Sequence, residues 1–341
     1  MNALTAVAAI AELISGMGIF IVACSMLCDN LRSLGGSKAF SLLSAASERK
    51  IVNVGIGAAV TAVLQSSSAV TVAVIGAVDA GAMTLTQAAG IVYGANIGTT
   101  VTGFLVALGS FGGGGISAMT VFASLTLVGA AISAFCRSES KKHAGGAIAG
   151  FGMIFAGLSV MSGAMNGFAQ SDAARTFLTV FDSPLPLVFI GCLATAVIQS
   201  SSAMTCMVIT SMAAGLVTLD QGIYITIGAN VGTCATALLA AAPAGKNAKR
   251  VALLHLIFNL GGAAIFVAAG LILRIFGIEY GAIMTAVAPY SPQMQLAAFN
   301  IIFNLATVAA ALPATDALVK LTTKLAPEAH RRRRARKKQT D

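Results

Sequence analysis

The sequence predicts an all-α polytopic membrane protein in which two copies of one unit cross the bilayer in opposite directions. Three observations support this fold class: the composition, a succession of long apolar segments, and an internal repeat. Hydrophobic residues make up 57% of the chain and charged residues only 10%, whereas an ordinary soluble domain has about 25% charged residues. Mean hydropathy is +0.88. Because so few charges cannot cover a water-soluble surface, the composition excludes soluble enzymes and soluble binding proteins.

The repeat joins residues 61–99 to residues 195–233, which align without a gap at an offset of 134 residues. Of these 39 aligned positions, 22 are identical. Each segment contains one QSSS motif, Gln65–Ser68 in the first and Gln199–Ser202 in the second. Each also ends in Gly-Ala-Asn-Ile/Val-Gly-Thr. Self-similarity at a fixed offset is typical of a duplicated structural unit.

The first copy, residues 1–136, predicts three crossings and one hairpin. Residues near 3–28 are apolar over about the length that spans a bilayer core of ~30 Å. Residues 51–80 are interrupted at their centre by the QSSS motif, and each half of about 14 residues is too short to cross alone. We therefore predict a re-entrant helical hairpin with the serines at its tip. A helix over 84–108, broken at its Gly-Ala-Asn-Ile-Gly-Thr stretch, and a span over 116–136 complete the copy.

The second copy, residues 144–275, follows a predicted cytoplasmic linker at 137–143 and repeats the same order. Its predicted elements are a span near 144–166, a hairpin at 184–217, a broken helix at 221–242 and a span at 251–273. Residues 276–320 contain an extra C-terminal span, and residues 321–341 form a basic tail. With three crossings per copy, the second copy is upside down, which is the inverted-repeat plan of secondary transporters.

Lysine and arginine in the loops predict the orientation. The net charge is +9, and with the N-terminus outside most of it falls in loops that would be cytoplasmic. The outer loops then keep only Arg175 and Arg274 as isolated cations. Because cytoplasmic loops carry the excess of Lys and Arg, we expect N-out and C-in in a bacterial-type inner (plasma) membrane. We expect the basic run in the tail, His330–Lys338, to bind anionic lipid rather than nucleic acid.

The QSSS motifs carry the chemistry of the predicted site. Polar groups at membrane depth are costly unless they meet each other, water or a ligand. A helix that begins at the serines presents unpaired N–H groups and a partial positive charge of roughly +0.5, and this suits an anion such as phosphate. The carbonyl end of the preceding half-helix suits Na⁺. Since no Lys or Arg is expected at this depth, Na⁺ would also offset the charge of the anion.

The candidate residues form two groups. For phosphate we predict the serines Ser66, Ser67, Ser68, Ser200, Ser201 and Ser202. For Na⁺ or phosphate we predict Gln65, Gln199, Asn96, Thr99, Thr100, Asn230 and Thr233. A competing interpretation is that these small residues only let helices approach closely, as in the GxxxG pattern of Gly94 and Gly98. The doubling of the motif at the centre of two apolar segments favours a site.

These motifs resemble those of a known family, the type II sodium–phosphate cotransporters. The resemblance is carried by the two QSSS motifs, by residues 94–99 and 228–233, and by the run His255–Asn259, and it covers most of residues 10–275. It implies symport of inorganic phosphate with Na⁺ by alternating access around a shared midplane site. It implies no cofactor beyond Na⁺ as the coupling ion. Many bacterial relatives add a cytoplasmic PhoU-like domain, which we do not expect here because the sequence ends soon after its last predicted span.

Several weaker candidates remain. His255 and Asn259 lie one helical turn apart, as do Asn300 and Asn304, and such residues form interhelical hydrogen bonds more often than ligand contacts. Asp79, whose repeat partner is Ala213, is predicted to lie at the membrane interface at the end of the hairpin, and the alternative is a role in coupling. The paired glutamines Gln87 and Gln221 are predicted at helix starts.

Rival functions stay open at this point. They are a transporter of another anion or solute on the same scaffold, an H⁺-coupled transporter, a passive anion channel and a non-transporting membrane scaffold. An enzyme is not expected, because the sequence shows no Ser near a His–Asp pair, no metal-ligand cluster and no paired carboxylates.

Overall fold

The computed structural model describes residues 3–109, 118–169 and 183–327 of the chain, and within these ranges the protein is a bundle of helices. A π-helical turn, Arg32–Gly36, separates the first two helices. The α-helices in chain order are α1 (Ala3–Leu31), α2 (Ser37–Ser44), α3 (Lys50–Leu64), α4 (Ser67–Asp79), α5 (Leu85–Leu108), α6 (Ala118–Phe135), α7 (Glu139–Ala169), α8 (Pro184–Ile198), α9 (Ser201–Ala213), α10 (Leu219–Gly232), α11 (Cys234–Ala241), α12 (Lys246–Ile275), α13 (Tyr280–Val287) and α14 (Pro292–Leu325).

The sequence repeat is also a structural repeat. Both arms of the hairpin keep the offset of 134 residues at each end, since α3 corresponds to α8 and α4 to α9 residue for residue. Helices α1 to α6 thus form copy one, and α7 to α12 form copy two. Helices α13 and α14 have no counterpart in copy one. Among the described residues, six helices are long and apolar enough to cross a membrane, which confirms the all-α polytopic class.

The two copies are inverted relative to each other. The equivalent helices α1 and α7 pack along their lengths and run in opposite directions. A Cβ atom on Gly16 would lie 2.8 Å from the backbone nitrogen of Met161, and at the other end of the pair His143 Nδ1 is 3.1 Å from Asn30 Oδ1. Because early residues of α1 meet late residues of α7, one copy is upside down with respect to the other.

One end of the bundle gathers basic residues from several elements. At the start of α3, Lys50 Nζ is 2.8 Å from Asp316 Oδ2 near the end of α14. At the start of α12, Arg250 Nε donates to Ala326 O at 3.0 Å, and Lys246 Nζ donates to the carbonyl of Pro327. The ends of these helices therefore lie on the same side, as the loop charges predict.

The bases of the two hairpins lie at opposite ends of the bundle. The first hairpin ends at Asp79, whose carboxylate accepts the N–H of Gly245 (3.3 Å) where α12 begins at the basic end. The second hairpin ends near Ser211, whose hydroxyl lies 3.3 Å from Met165 Sδ near the far end of α7. Asp79 thus connects the end of the first hairpin to the start of α12 in copy two.

The predicted break in the helix of copy one is wrong. Helix α5 is continuous through Gly94–Thr100, and the glycines there let α3 approach closely. In copy two, α10 and α11 are separated at Thr233 alone. The glutamine and first serine of each motif, Gln65–Ser66 and Gln199–Ser200, by contrast, do interrupt the helices in both copies.

Two other boundaries differ from prediction, and two predicted features cannot be compared. Helix α7 begins at Glu139, so most of the predicted linker at 137–143 is helical; an acidic side chain in a first turn favours a helix start. The extra C-terminal segment holds the short helix α13 as well as the span α14. Arg175 and the basic run His330–Lys338 lie outside the described residues.

Candidate functional site

The two QSSS motifs hold unusual backbone conformations. Gln65 has φ of +51° and Gln199 has φ of +57°, and among the described residues they are the only non-glycine residues with positive φ. A side chain in this left-handed region costs free energy unless the surrounding structure enforces it. The conformation ends α3 and α8 abruptly and starts a new helix two residues later.

The serine that follows each glutamine caps the new helix. Ser66 Oγ accepts the N–H of Ala69 at 3.2 Å, and Ser200 Oγ accepts the N–H of Ala203 at 3.2 Å. A hydroxyl that accepts one hydrogen bond in this way still has its own proton to donate. Each tip therefore offers a hydroxyl donor beside the unpaired N–H groups of a helix start.

The structure brings both tips to one cavity of about 320 Å³. From copy one the cavity is lined by Gln65 and Ser66, and from copy two by Ile198, Gln199 and Ser200. Two helix starts thus point their partial positive charges, each roughly +0.5, at the same space. The fold thus brings the two QSSS tips to a common cavity, and their role as a binding site stays a prediction.

Helix α1 and its π-helical extension form the third wall of this cavity. The lining residues are Phe20, Ile21, Cys24, Ser25, Cys28, Asp29 and Arg32. Their spacing of three and four residues places them on one face of the helix, over about 18 Å at 1.5 Å per residue. All six cysteines of the chain are free thiols, and Cys24 and Cys28 belong to this wall.

Sequence reasoning missed the charged pair in this wall. Arg32 lines the cavity beside Asp29, although no Lys or Arg was expected near the serines. The two residues lie directly after the apolar segment at 3–28, and charged residues in such a position are typical of a loop at the membrane surface. The i, i+3 spacing of the two opposite charges indicates that they are neighbours on one helical face, and this was the sequence pattern that could have identified them.

The remaining serines of the motifs lie in the first turns of α4 and α9 and do not line the cavity. Ser67 is buried, while Ser68, Ser201 and Ser202 are partly buried. The carbonyl of Ser201 accepts the hydroxyl of Thr205 at 2.9 Å. A direct role of these four serines in ligand binding stays a prediction.

The Gly-Ala-Asn-Ile/Val-Gly-Thr stretches pack helices together. A Cβ on Gly94 would lie 2.0 Å from Val54 O, and one on the equivalent Gly228 would lie 1.9 Å from Val188 O. The threonine hydroxyls donate within their own helices, Thr99 to Ala95 O at 3.0 Å and, in copy two, Thr233 to the equivalent carbonyl. The structure does not bring these residues to the cavity.

The asparagines of these stretches lie in the core of the bundle. Asn96 is buried, and its Nδ2 has no hydrogen-bond partner among the described residues. Thr100 donates to Ile97 O at 2.7 Å. Asn230 Nδ2 donates to Thr226 O at 2.9 Å and to Asn300 Oδ1 at 3.3 Å. The bond from Asn230 to Asn300 connects α10 to α14.

The secondary candidates also serve the core. Asn259 Nδ2 donates to His255 O at 3.0 Å and lies 3.4 Å from Cys234 Sγ. Asn304 Nδ2 donates to Asn300 Oδ1 at 3.0 Å. None of the three candidates His255, Asn259 and Asn304 lines the cavity. Gln87 and Gln221 complete capping boxes at the starts of α5 and α10, which confirms their prediction as helix-start residues.

The two tips are not identical in their side-chain contacts. In copy one, Thr102 Oγ1 donates to Gln65 Oε1 at 2.8 Å. In copy two, the equivalent Thr236 hydroxyl is buried without a partner among the described residues, while Gln199 is exposed. The structure therefore binds one tip glutamine to α5 and leaves the other exposed.

Comparison with known proteins places these features in a family. The family model described as Na⁺/Pi-cotransporter matches the chain twice, at residues 19–163 and at residues 156–288. The first match covers most of copy one and extends through most of α7, and the second covers the rest of copy two and continues to residue 288.

Individual relatives agree with this match. Uncharacterized protein YqeW of Bacillus subtilis is 29% identical over 311 residues, which are 90% of this chain and 95% of that protein. Putative inorganic phosphate export protein YjbB of Escherichia coli is 26% identical over 256 residues, which are 74% of this chain and 46% of that protein. Human sodium-dependent phosphate transport protein 2C is 38% identical over 112 residues, which are 29% of this chain and 19% of that protein. The chain thus spans about half of YjbB and a smaller part of the human protein. No solved structure matches it.

Proposed function

Because the chain belongs to the Na⁺/Pi-cotransporter family, whose members are transporters and not enzymes, we propose that it carries inorganic phosphate across the plasma membrane by symport with Na⁺. The observation that carries the proposal is the meeting of the two QSSS tips at one cavity. Two capping hydroxyls and two helix starts from opposite copies converge there. Such groups are the ones that hold phosphate at helix N-termini elsewhere.

The coupling ion has a chemical role at the same place. Helices α3 and α8 end at the tips, and the last carbonyls of a helix have no intrahelical donors. Carbonyl oxygens of this kind, together with the amide oxygen of an exposed glutamine such as Gln199, are suitable ligands for Na⁺. A bound Na⁺ would stabilise the anion beside it, so that each ligand raises the affinity for the other.

The inverted fold supports alternating access. The hairpins enter the bundle from opposite ends and meet at their tips, so movement of either copy changes the side from which the cavity is reached. Rocking of one inverted copy against the other around a fixed site is the usual mechanism of such transporters. We propose this mechanism here, with the basic end of the bundle on the cytoplasmic side.

The direction of net transport follows from the gradients in this proposal. An inward Na⁺ gradient drives import of phosphate, and we propose import as the physiological direction. The E. coli relative carries a name that states export, and a symporter also runs outward when the outward phosphate gradient exceeds the driving force of Na⁺. Transport in both directions from one site is therefore compatible with one mechanism.

Labelled phosphate uptake into proteoliposomes tests the proposal, with an inward Na⁺ gradient compared with an equal K⁺ gradient. We expect accumulation above the external concentration with Na⁺ only. Accumulation driven by a proton gradient would indicate an H⁺-coupled transporter. Flux without accumulation under any gradient would indicate a passive anion channel. No flux by folded protein, together with transport of another anion, would show that the family scaffold here carries different cargo.

A further inference from the structure

The cavity carries charges that the two copies do not share. Asp29 and Arg32 line it from copy one, whereas their repeat partners are Gly163 and Asn166. A site made only of the duplicated motifs would present hydroxyls, amides and helix starts in equal measure from both sides. The charged pair makes one side of the cavity different, so it requires an explanation other than the duplication.

The contact between these two residues is loose. The shortest distance between Arg32 and Asp29, from Nη1 to Oδ1, is 3.9 Å, which is too long for a hydrogen bond. Arg32 Nε is buried and has no hydrogen-bond partner among the described residues. A guanidinium carries five N–H donors in a planar fork, and this one has donors that Asp29 does not occupy.

We propose that Arg32 is an anion-binding residue of the transport site and that Asp29 competes with the anion for it. The inference rests on the proposed function and adds a charged contact to the duplicated motifs. A tetrahedral oxyanion fits the guanidinium fork through two parallel hydrogen bonds. The hydroxyls of Ser66 and Ser200 then bind the same anion from the tips, while the weak contact to Asp29 is given up.

Four variants separate this role from a structural one. R32Q removes the charge, R32K keeps the charge without the planar fork, and D29N removes the competing carboxylate. K142Q is the matched control, because Lys142 pairs with Glu139 at the same i, i+3 spacing (2.7 Å) and lies outside the cavity lining. Each variant is purified in detergent, checked for a single monodisperse species and an unchanged melting temperature, and titrated with labelled inorganic phosphate in the presence of Na⁺.

We expect R32Q to weaken phosphate binding by roughly tenfold or more, the usual effect of losing a hydrogen bond to a charged group. R32K should fall between R32Q and the wild type. D29N should bind phosphate more tightly than the wild type, because the competing carboxylate is removed, and K142Q should bind like the wild type. A D29N variant that binds phosphate no more tightly than the wild type would overturn the competition by Asp29. Should R32Q fail to fold, R32K and D29N still decide the question by the opposite directions of their effects.

The equilibrium titration tests the role of Arg32 and the uptake assay tests the proposed function, so either proposal can be contradicted without the other. If the wild type accumulates phosphate with Na⁺ and R32Q binds phosphate like the wild type, the role of Arg32 is overturned and the proposed function stands. If the wild type binds phosphate but does not accumulate it with Na⁺, the proposed function is wrong and the Arg32 variants are still judged by their binding. Equal loss of binding in R32Q, D29N and K142Q would indicate a general effect of charge removal and would overturn the proposal. A wild type that neither binds nor transports phosphate would overturn both.

Discussion

The serines at the tips combine two tasks in one side chain. Ser66 Oγ accepts an N–H from its own helix and at the same time lines the cavity. A change to alanine would remove the cap, at a cost of about 1 kcal/mol, together with the proposed ligand contact. An alanine variant alone therefore does not separate folding from binding.

A pair of substitutions at Ser66 separates the two tasks. Asparagine and aspartate are both good N-cap residues, so S66N and S66D should keep the melting temperature close to that of the wild type. S66D places a negative charge in the cavity and should weaken phosphate binding by roughly 100-fold, as expected for a like charge a few ångströms away at intermediate dielectric. S66N should bind within a factor of about ten of the wild type. Equal phosphate affinity in both variants, measured by titration, would remove Ser66 from the site.

The threonines behind the two tip glutamines provide a second test at this scale. T102V removes the donor to Gln65 Oε1 and should lower the free energy of unfolding by about 1 kcal/mol. T236V removes a buried hydroxyl that has no partner among the described residues, so it should be neutral within about 0.5 kcal/mol or slightly stabilising. Thermal unfolding in one detergent measures both. Equal destabilisation would mean that the second glutamine also binds its threonine in solution.

At the scale of elements, the packing of α3 on α5 and of α8 on α10 explains why the glycine stretches are repeated. Gly57, Gly94 and Gly98 are all sites where a Cβ would lie within 2.6 Å of a carbonyl oxygen of the facing helix. Such close backbone approach between membrane helices needs residues without a side chain. The sequence contained this information as a GxxxG pattern, and the prediction of a helix break at the same residues was the wrong choice.

Substitution of one of these glycines tests the crossing. G94A puts a Cβ 2.0 Å from Val54 O and forces α3 and α5 apart, so it should lower the free energy of unfolding by roughly 1–3 kcal/mol. G55A is the matched control on α3, since a Cβ there has nothing within 4 Å and should stabilise the helix by about 0.5–1 kcal/mol. Urea titration in mild detergent compares the two. A G94A variant as stable as the wild type would contradict the packing role of this glycine.

At the scale of the whole molecule, the inverted arrangement was predictable because it follows from counting. The predicted odd number of crossings per copy implies it, and the antiparallel contact of α1 with α7 agrees with it. The convergence of the two QSSS motifs follows from the same symmetry. The sequence repeat thus contained most of the information needed for the fold and for the duplicated part of the site.

What breaks the symmetry was harder to predict. Arg32 and Asp29 have no repeat partners of their kind, and nothing in the spacing of the motifs indicates that the end of α1 reaches the cavity. The contact depends on the tilt of α1 against both tips, which is a property of the packed bundle. The continuity of α5 also depends on the packed bundle. Contact with the facing helix α3 determines whether the backbone at Gly94 and Gly98 stays helical, and the local sequence does not contain that information.

The inversion also predicts that the bases of the two hairpins face opposite sides of the membrane. Ala80 and Ala214 follow α4 and α9 at equivalent positions of the two hairpins, and their hairpin bases lie at opposite ends of the bundle. In intact cells, a membrane-impermeant maleimide should therefore label A214C above the background of the native thiols, because its end of the bundle is proposed to face outward. A80C should be labelled only after the membrane is permeabilised. Labelling of both from the same side would contradict the inversion, whereas labelling of A80C alone in intact cells would preserve the inversion and reverse the proposed orientation.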